Sequence, residues 1–160
     1  MSKTISFSSE LESFEHESEL GEDFQLLVSK AREVCENAYA PYSQFKVGAA
    51  LLLKSGAIVT GSNQENSSYN SGLCAERVAF FAAGAQHPAD KILKAVVLAQ
   101  KAGGPVNEAS PCGSCRQVML EYEFNQGQPI EILFNWQGRM VKSNSVANLL
   151  PFNFNRHSLK

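Results

Sequence analysis

Three cysteines and one glutamate, placed in two short segments, constrain this chain more than any other feature. The first segment begins at Cys74 and has Glu76 two positions later, and the second holds Cys112 and Cys115 in a Pro-Cys-x-x-Cys sequence. A Cys-x-x-Cys spacing lets two thiolates reach one metal ion, and Cys74 would supply a third ligand. A fold that satisfies this pattern must bring two segments that are distant in the sequence to one point.

The residue types in these segments predict a zinc site with catalytic chemistry. Three protein ligands leave the fourth zinc position open for water, and a carboxylate beside it can move protons. Glu76 is therefore the candidate catalytic group, and the neighbouring Arg77 would offset the negative charge of three thiolates. A lone Cys-x-x-Cys is often a structural zinc site with a fourth protein ligand. Cys35 is the obvious candidate, but it lies on the apolar face of a predicted helix, which favours a buried thiol.

Length, charge and hydropathy narrow the class of protein. The chain has 160 residues, of which 44% are hydrophobic, and this favours one domain with a real core. Its formal charge of -2, from 14 Lys and Arg against 16 Asp and Glu, argues against a nucleic-acid binder. We find no apolar run long enough for a membrane span and no secretory signal. The cysteines suit metal binding better than disulfides, so we expect a cytoplasmic protein.

The first part of the chain differs from the remainder. Residues 1–22 are rich in glutamate, and we interpret them as an acidic N-terminal arm that precedes a catalytic domain over residues 23–160. Composition favours a partly mobile arm. The alternation of Ile5 and Phe7 with polar residues leaves open a short strand at the edge of a sheet, in this chain or in a neighbouring subunit.

Hydrophobic periodicity predicts an alternation of helices and strands. Helices are predicted over residues 23–38, 74–85 and 112–124, and a loop over residues 101–110. Helices between strands favour a sheet that is covered on both faces. We therefore predict an α/β fold, a three-layer α/β/α sandwich with a mixed five-stranded sheet, in which Cys74 and Cys112 open two helices. The five predicted strands are residues 45–53, 57–61, 94–99, 130–134 and 139–142.

The metal segments resemble those of a known family. Cys74-Ala75-Glu76-Arg77, followed by Pro111-Cys112-Gly113-Ser114-Cys115-Arg116-Gln117, closely resembles the small zinc-dependent cytidine deaminases of the homotetrameric three-cysteine type. The resemblance implies a cytidine deaminase-like fold, one zinc ion per chain, a homotetramer and a small nucleoside substrate. It also implies hydrolytic deamination of cytidine and deoxycytidine in pyrimidine salvage, with Glu76 as the proton shuttle. The likeness covers roughly residues 23–155 and includes residues 39–43, 45–50, 61–66 and 149–151.

The same resemblance implies roles for four residues outside the metal segments. Phe45 matches a phenylalanine that packs on the pyrimidine ring, and Asn63 and Glu65 match a pair that binds the ribose hydroxyls. Phe154 matches an aromatic residue that reaches a neighbouring active site, and Phe152 is a rival for that position. Without the resemblance, an ordinary strand core residue is an alternative interpretation of Phe45, and a solvated turn is the interpretation of Asn63 and Glu65.

Three other functions remain open at the level of the sequence. The nearest is deamination of a related aminopyrimidine, such as a nucleoside antibiotic like blasticidin S. The second is editing of a polynucleotide, which the acidic balance of the chain disfavours. The third is a non-catalytic interaction module that zinc stabilises.

Overall fold

Helices and strands alternate along most of the chain. The computed structural model describes residues 2–100 and 106–159. Its α-helices are α1 Glu22–Cys35, α2 Ala75–Gln86 and α3 Gly113–Gln126. None of the helices in the described part of the chain has the length and hydrophobicity of a membrane span. The strands are β1 Glu12–Phe14, β2 Lys46–Leu53, β3 Ile58–Ser62, β4 Ile92–Gln100, β5 Val106–Asn107, β6 Glu131–Trp136 and β7 Arg139–Ser143.

The strands form one mixed sheet in the order β1-β7-β6-β4-β2-β3, and β5 pairs with the end of β4. The pairing of β4 with β6 is parallel, with Val96 opposite Leu133, and the other pairs are antiparallel. The parallel pair requires a crossover connection, and α3 provides it between β4 and β6. The mixed sheet follows from this crossover together with the hairpins β2–β3 and β6–β7.

The sheet carries helices on both faces, which confirms the predicted three-layer sandwich. Successive residues of a strand point to opposite faces. Ala50 of β2 and Val96 of β4 therefore belong to the core under α1, whereas Leu51 and Val97 belong to the core under α2 and α3. All four side chains are at most 2% exposed.

The sheet has more strands than the predicted five. The predicted strands correspond to β2, β3, β4, β6 and β7, and the prediction missed β1 and β5, which span three and two residues. Segments this short carry no readable alternation. The arm does add an edge strand, but at Glu12–Phe14 and not around Ile5 and Phe7. Phe14 packs on the α1 core, whereas Ile5 and Phe7 are exposed. Residues 101–105 of the predicted loop lie outside the described residues.

Two glycines allow the helices to approach the hairpin β2–β3 closely. A Cβ atom on Gly48 would lie 2.0 Å from the carbonyl oxygen of Ala31 in α1. A Cβ atom on Gly61 would lie 2.6 Å from the backbone nitrogen of Ala79 in α2. Backbone atoms cannot yield at such distances, so both positions require glycine. Gly61 thereby fixes the distance between the sheet and the helix that begins beside Cys74.

Candidate active site

The three cysteines lie at the N-termini of two helices, as the sequence predicted. Cys74 and Cys112 are the N-cap residues of α2 and α3, with extended backbone conformations, and Cys115 lies in the first turn of α3. Helix N-termini carry partial positive charge and unpaired amide hydrogens, and both favour a thiolate over a thiol. The fold brings the two helix N-termini together at one end of the α2/α3 face.

The three sulfur atoms lie close enough together to bind one metal ion. The Sγ atoms of Cys74, Cys112 and Cys115 all lie within 4.8 Å of one another, and those of Cys112 and Cys115 are 3.5 Å apart. Two sulfurs bound to one zinc ion at about 2.3 Å in tetrahedral geometry would be separated by about 3.8 Å. The donor set therefore fits zinc. Cys35 is the last residue of α1, on the other face of the sheet from this cluster, and is 1% exposed, which confirms the prediction of a buried thiol.

The electrostatic surroundings of the sulfurs favour negative charge at Cys74. A hydrogen bond from Cys115 lowers the pKa of the Cys74 thiol to about 5, with a further contribution from Arg77, and burial opposes this shift. The same hydrogen bond and burial raise the pKa of Cys115. The Arg77 guanidinium has Nη2 3.8 Å from the Sγ of Cys74 and 3.5 Å from the carbonyl oxygen of Gly72. The guanidinium group therefore lies beside the Cys74 sulfur, where its positive charge raises the stability of a thiolate.

Glu76 lies in the first turn of α2, two residues after Cys74, and is 5% exposed. Burial is the main cause that raises the pKa of this carboxyl group, and the charge of Cys74 adds to it. A carboxyl group whose pKa lies closer to neutrality is better suited to accept a proton and then donate it. The side chain also lines the same cavity as Cys74 and Cys112.

A cavity of about 850 Å³ opens above the cysteine cluster. A cavity of this volume is large enough for a small organic ligand. Phe45, Asn63 and Glu65, which come from the two ends of the hairpin β2–β3 and the loop after it, all line this cavity. The structure therefore brings together, around one cavity, seven of the predicted site residues: Phe45, Asn63, Glu65, Cys74, Glu76, Arg77 and Cys112.

Asn63 joins the two sides of the hairpin through its side-chain amide. Its Oδ1 accepts a hydrogen bond from the backbone N–H of Val47 at 2.8 Å, and its Nδ2 donates to the carbonyl oxygen of Phe45 at 2.9 Å. An asparagine amide has two N–H donors and two acceptor lone pairs. One donor and one lone pair therefore remain after these bonds are formed, so Asn63 can position Phe45 and still bind a ligand.

Glu65 fixes the turn that precedes β2. Its carboxylate accepts hydrogen bonds from the backbone N–H groups of Tyr42 at 2.9 Å and Ser43 at 3.3 Å, and from the Ser43 hydroxyl. The hydroxyl bond is the largest cause that lowers the pKa of Glu65, so the group is ionised at neutral pH. Ser43 Oγ also accepts a hydrogen bond from the backbone N–H of Phe45 at 3.0 Å. Glu65 and Phe45 are thus coupled through one serine.

The sequence did not predict some of the residues that line the cavity, and one predicted site residue, Phe154, does not line it. Tyr69 and Glu108 line the cavity, and Tyr69 packs edge-to-face against Tyr42 with ring centroids 6.4 Å apart. Neither residue belongs to a short motif, so the sequence carried no signal for them. Phe154 is 59% exposed and is not among the described residues that line the cavity of its own chain.

Comparison with known proteins agrees with this geometry. The family model of the cytidine and deoxycytidylate deaminase zinc-binding region matches residues 22–127. The chain belongs to this family. The match spans α1 to α3 and includes all three cysteines and Glu76, so the chain has the zinc-binding region of the family and the cysteine cluster fits a site for one zinc ion.

Individual relatives support the assignment along most of the chain. A cytidine deaminase of Sporosarcina psychrophila is 42% identical over 137 residues, which are 86% of this chain and 95% of that protein. A cytidine deaminase of Halalkalibacterium halodurans is 43% identical over 81% of this chain and 92% of its own length. The crystal structure of cytidine deaminase from Burkholderia pseudomallei aligns with a TM-score of 0.69 at 38% identity, covering 81% of this chain and 98% of that one.

Proposed function

We propose that this protein is a zinc-dependent hydrolase that deaminates cytidine and deoxycytidine to uridine and deoxyuridine, with release of ammonia. One observation carries the proposal: three sulfur atoms that fit a zinc ion lie beside a buried carboxyl group at the base of a cavity of about 850 Å³. Two of the sulfurs and the carboxyl group line that cavity. A cysteine cluster without this carboxyl group and cavity would indicate only a structural metal site.

The substrate is held by the residues above the cysteine cluster. Phe45 offers an aromatic face to the flat pyrimidine ring. The Glu65 carboxylate accepts hydrogen bonds from ribose hydroxyls, and Asn63 uses the capacity that its bonds to Val47 and Phe45 leave. Because Asn63 and Glu65 are themselves fixed by backbone groups, they are preorganised for binding. A site built in this way rejects analogues that lack the matching hydroxyl groups.

Glu76 moves the protons of the reaction. Zinc, when bound by Cys74, Cys112 and Cys115, supplies Lewis acidity that makes a water molecule easier to deprotonate. Glu76 accepts a proton as the water oxygen attacks the ring carbon that bears the amine, and it donates a proton to the adjacent ring nitrogen. A second transfer to the amine allows ammonia to leave, so that one water molecule is consumed for each ammonia. Arg77 stabilises the Cys74 thiolate through this cycle.

Three further features belong to this proposal. The protein acts in the cytoplasm, and it assembles as a homotetramer in which Phe154 reaches the active site of a neighbouring subunit. The position of Phe154, exposed and away from the cavity of its own chain, is compatible with such a role. The catalytic domain comprises residues 23–160 and the arm residues 1–22, a division supported by the family match beginning at residue 22.

The test is the ultraviolet absorbance change that accompanies conversion of cytidine to uridine, measured with and without a chelator. We expect turnover that stops on chelation and returns with zinc. Glu76→Gln should retain one zinc ion per chain and lose about 10²–10⁴ in kcat, the contribution of a positioned acid–base group. Near-normal turnover by that variant would refute the role of Glu76. Faster turnover of a blasticidin-type aminopyrimidine than of cytidine would reassign the substrate.

A further inference from the structure

The described part of the N-terminal arm, residues 2–22, packs against the domain although nearly all of it precedes the family match at residues 22–127. Its strand β1 pairs with β7, and Glu12 and Glu15 of the arm lie 3.1 Å and 3.3 Å from Lys142 and Arg139. The side chain of Phe14 packs on the α1 core. Two acidic residues of the arm are therefore matched by basic residues of the strand with which β1 pairs.

Before β1, the arm contacts the C-terminal segment, residues 148–154. Ser9 Oγ donates a hydrogen bond to the carbonyl oxygen of Asn148 at 2.7 Å, and Nδ2 of Asn148 donates to the carbonyl oxygen of Glu10 at 2.8 Å. The rings of Phe7 and Phe152 lie edge-to-face with centroids 4.5 Å apart. The arm thus contacts the C-terminal segment at two places, Asn148 and Phe152.

The C-terminal segment in turn contacts the first turns of α3. Nη1 of Arg116 donates to the carbonyl oxygen of Leu149 at 3.3 Å, and Nε2 of Gln117 donates to that of Phe154 at 2.7 Å. Nε of Arg116 also donates to the carbonyl oxygen of Pro111 at 2.8 Å. These two side chains directly follow Cys115, and Pro111 directly precedes Cys112. The C-terminal segment therefore lies between the arm and the zinc-binding turn.

We propose that the arm is a positioning element for the zinc-binding turn of α3 and that Phe7 anchors it. Docking of Phe7 on Phe152 restricts the C-terminal segment, so the carbonyl groups that Arg116 and Gln117 bind stay in place. Arg116 can then hold the backbone on the N-terminal side of Cys112, which is the exposed member of the cluster. When the ring contact is lost, the segment opens locally more often, and the turn that holds zinc opens with it.

The test uses the full-length, zinc-loaded protein and compares Phe7→Ala with the wild type. Two quantities are measured: amide hydrogen exchange, and the rate of zinc loss to an excess of chelator. We expect exchange in residues 148–154 and 113–117, and zinc loss, to be about two- to tenfold faster, as expected for the loss of one aromatic pair. Exchange within α1 should not change. Ile5→Ala is the matched control, since Ile5 is on the same arm and 78% exposed.

A double-mutant cycle separates this role from general stabilisation. If Phe7 acts through Phe152, then Phe7→Ala should have little further effect in a Phe152→Ala background. Phe7→Leu, which keeps an apolar contact, should restore part of the wild-type rate of zinc loss. The proposal is overturned if Phe7→Ala leaves zinc loss and exchange at wild-type values, if α1 exchanges faster to the same extent as α3, or if the two alanine substitutions act additively.

Discussion

Glu123 of α3 is a buried carboxylate that holds three parts of the chain together, and its replacement should reveal this directly. The side chain is 7% exposed. Its Oε1 accepts hydrogen bonds from the Ser145 hydroxyl at 2.8 Å and the Ala147 N–H at 3.0 Å. Its Oε2 accepts from the N–H groups of Ile130 and Val146, both at 2.8 Å. The carboxylate thus joins α3 to the start of β6 and to the segment after β7.

The cost of Glu123→Gln follows from this geometry. The new amide is best placed with its NH₂ group at the Oε1 position, where the Ser145 hydroxyl can rotate to accept a hydrogen bond. Ala147 N–H keeps its second acceptor, Ser145 Oγ at 3.0 Å. The N–H groups of Ile130 and Val146 then donate to a neutral amide oxygen instead of a charged carboxylate. We expect the free energy of unfolding to fall by about 2–3 kcal/mol. Glu123→Leu leaves both of those buried N–H donors without an acceptor, so we expect the free energy of unfolding to fall by about 4 kcal/mol.

Urea unfolding followed by circular dichroism measures these differences, at one fixed protein concentration so that the proposed assembly contributes equally to every variant. Glu121→Gln is the matched control, since Glu121 lies on the exposed side of the same helix and should change stability by less than about 0.5 kcal/mol. The urea midpoint should be highest for Glu121→Gln, lower for Glu123→Gln and lowest for Glu123→Leu. A Gln variant as stable as the control, or as unstable as the Leu variant, would refute the reasoning from individual donors.

Three further predictions concern the site itself. Gly61→Ala should destabilise the protein by about 3 kcal/mol and lower turnover, because the new Cβ meets the backbone of α2; Gly21→Ala, where a Cβ has nothing within 4 Å, is the control in the same unfolding assay. Zinc binding to the metal-free protein should release at least one proton at neutral pH, because the pKa of Cys115 is raised and a ligand must be a thiolate; a pH indicator in weak buffer detects it, and no release would contradict the assignment. The pKa of Glu65 lies below its ordinary value of 4.5, so its contributions to stability and to the KM for cytidine should be present above pH 4.5 and be lost only as the pH falls through the lowered pKa. Ser43→Ala should move that loss to higher pH in KM–pH profiles, and identical profiles would contradict the role of the hydroxyl.

The metal cluster was predictable because its information is local. Cys112 and Cys115 are three residues apart at the start of a helix, and Glu76 follows Cys74 by two. At such spacings, backbone geometry alone places the side chains near one another. The approach of the Cys74 segment to the Cys112–Cys115 segment depends on the tertiary fold. The predicted alternation of helices and strands already indicated that both segments begin helices next to the same sheet.

Contacts between distant residues could not be predicted in this way. Glu123 binds residues 7 to 24 positions away, none of them part of a pattern, so it resembles an ordinary helical glutamate in the sequence. The arm was interpreted from its acidic composition, whereas its placement depends on Lys142 and Arg139 far along the chain. The strand β1 depends on its pairing with β7 and on the packing of Phe14 against the α1 core, and neither can be recognised from residues 12–14 alone.

The position of α3 is set from both ends, and this determines how the cysteine cluster closes. Near its C-terminus, Glu123 fixes the helix to β6 and to the segment after β7. Near its N-terminus, Arg116 binds the carbonyl groups of Pro111 and Leu149. The partner helix α2 is placed by its close contact with Gly61. Because each helix carries part of the sulfur cluster, a shift of either helix relative to the sheet changes the distances between Cys74 and the pair on α3. The distances between the three sulfur atoms therefore depend on residues that lie outside the metal site and the cavity. Substitutions at Glu123 and Gly61 should weaken zinc binding as well as destabilise the fold.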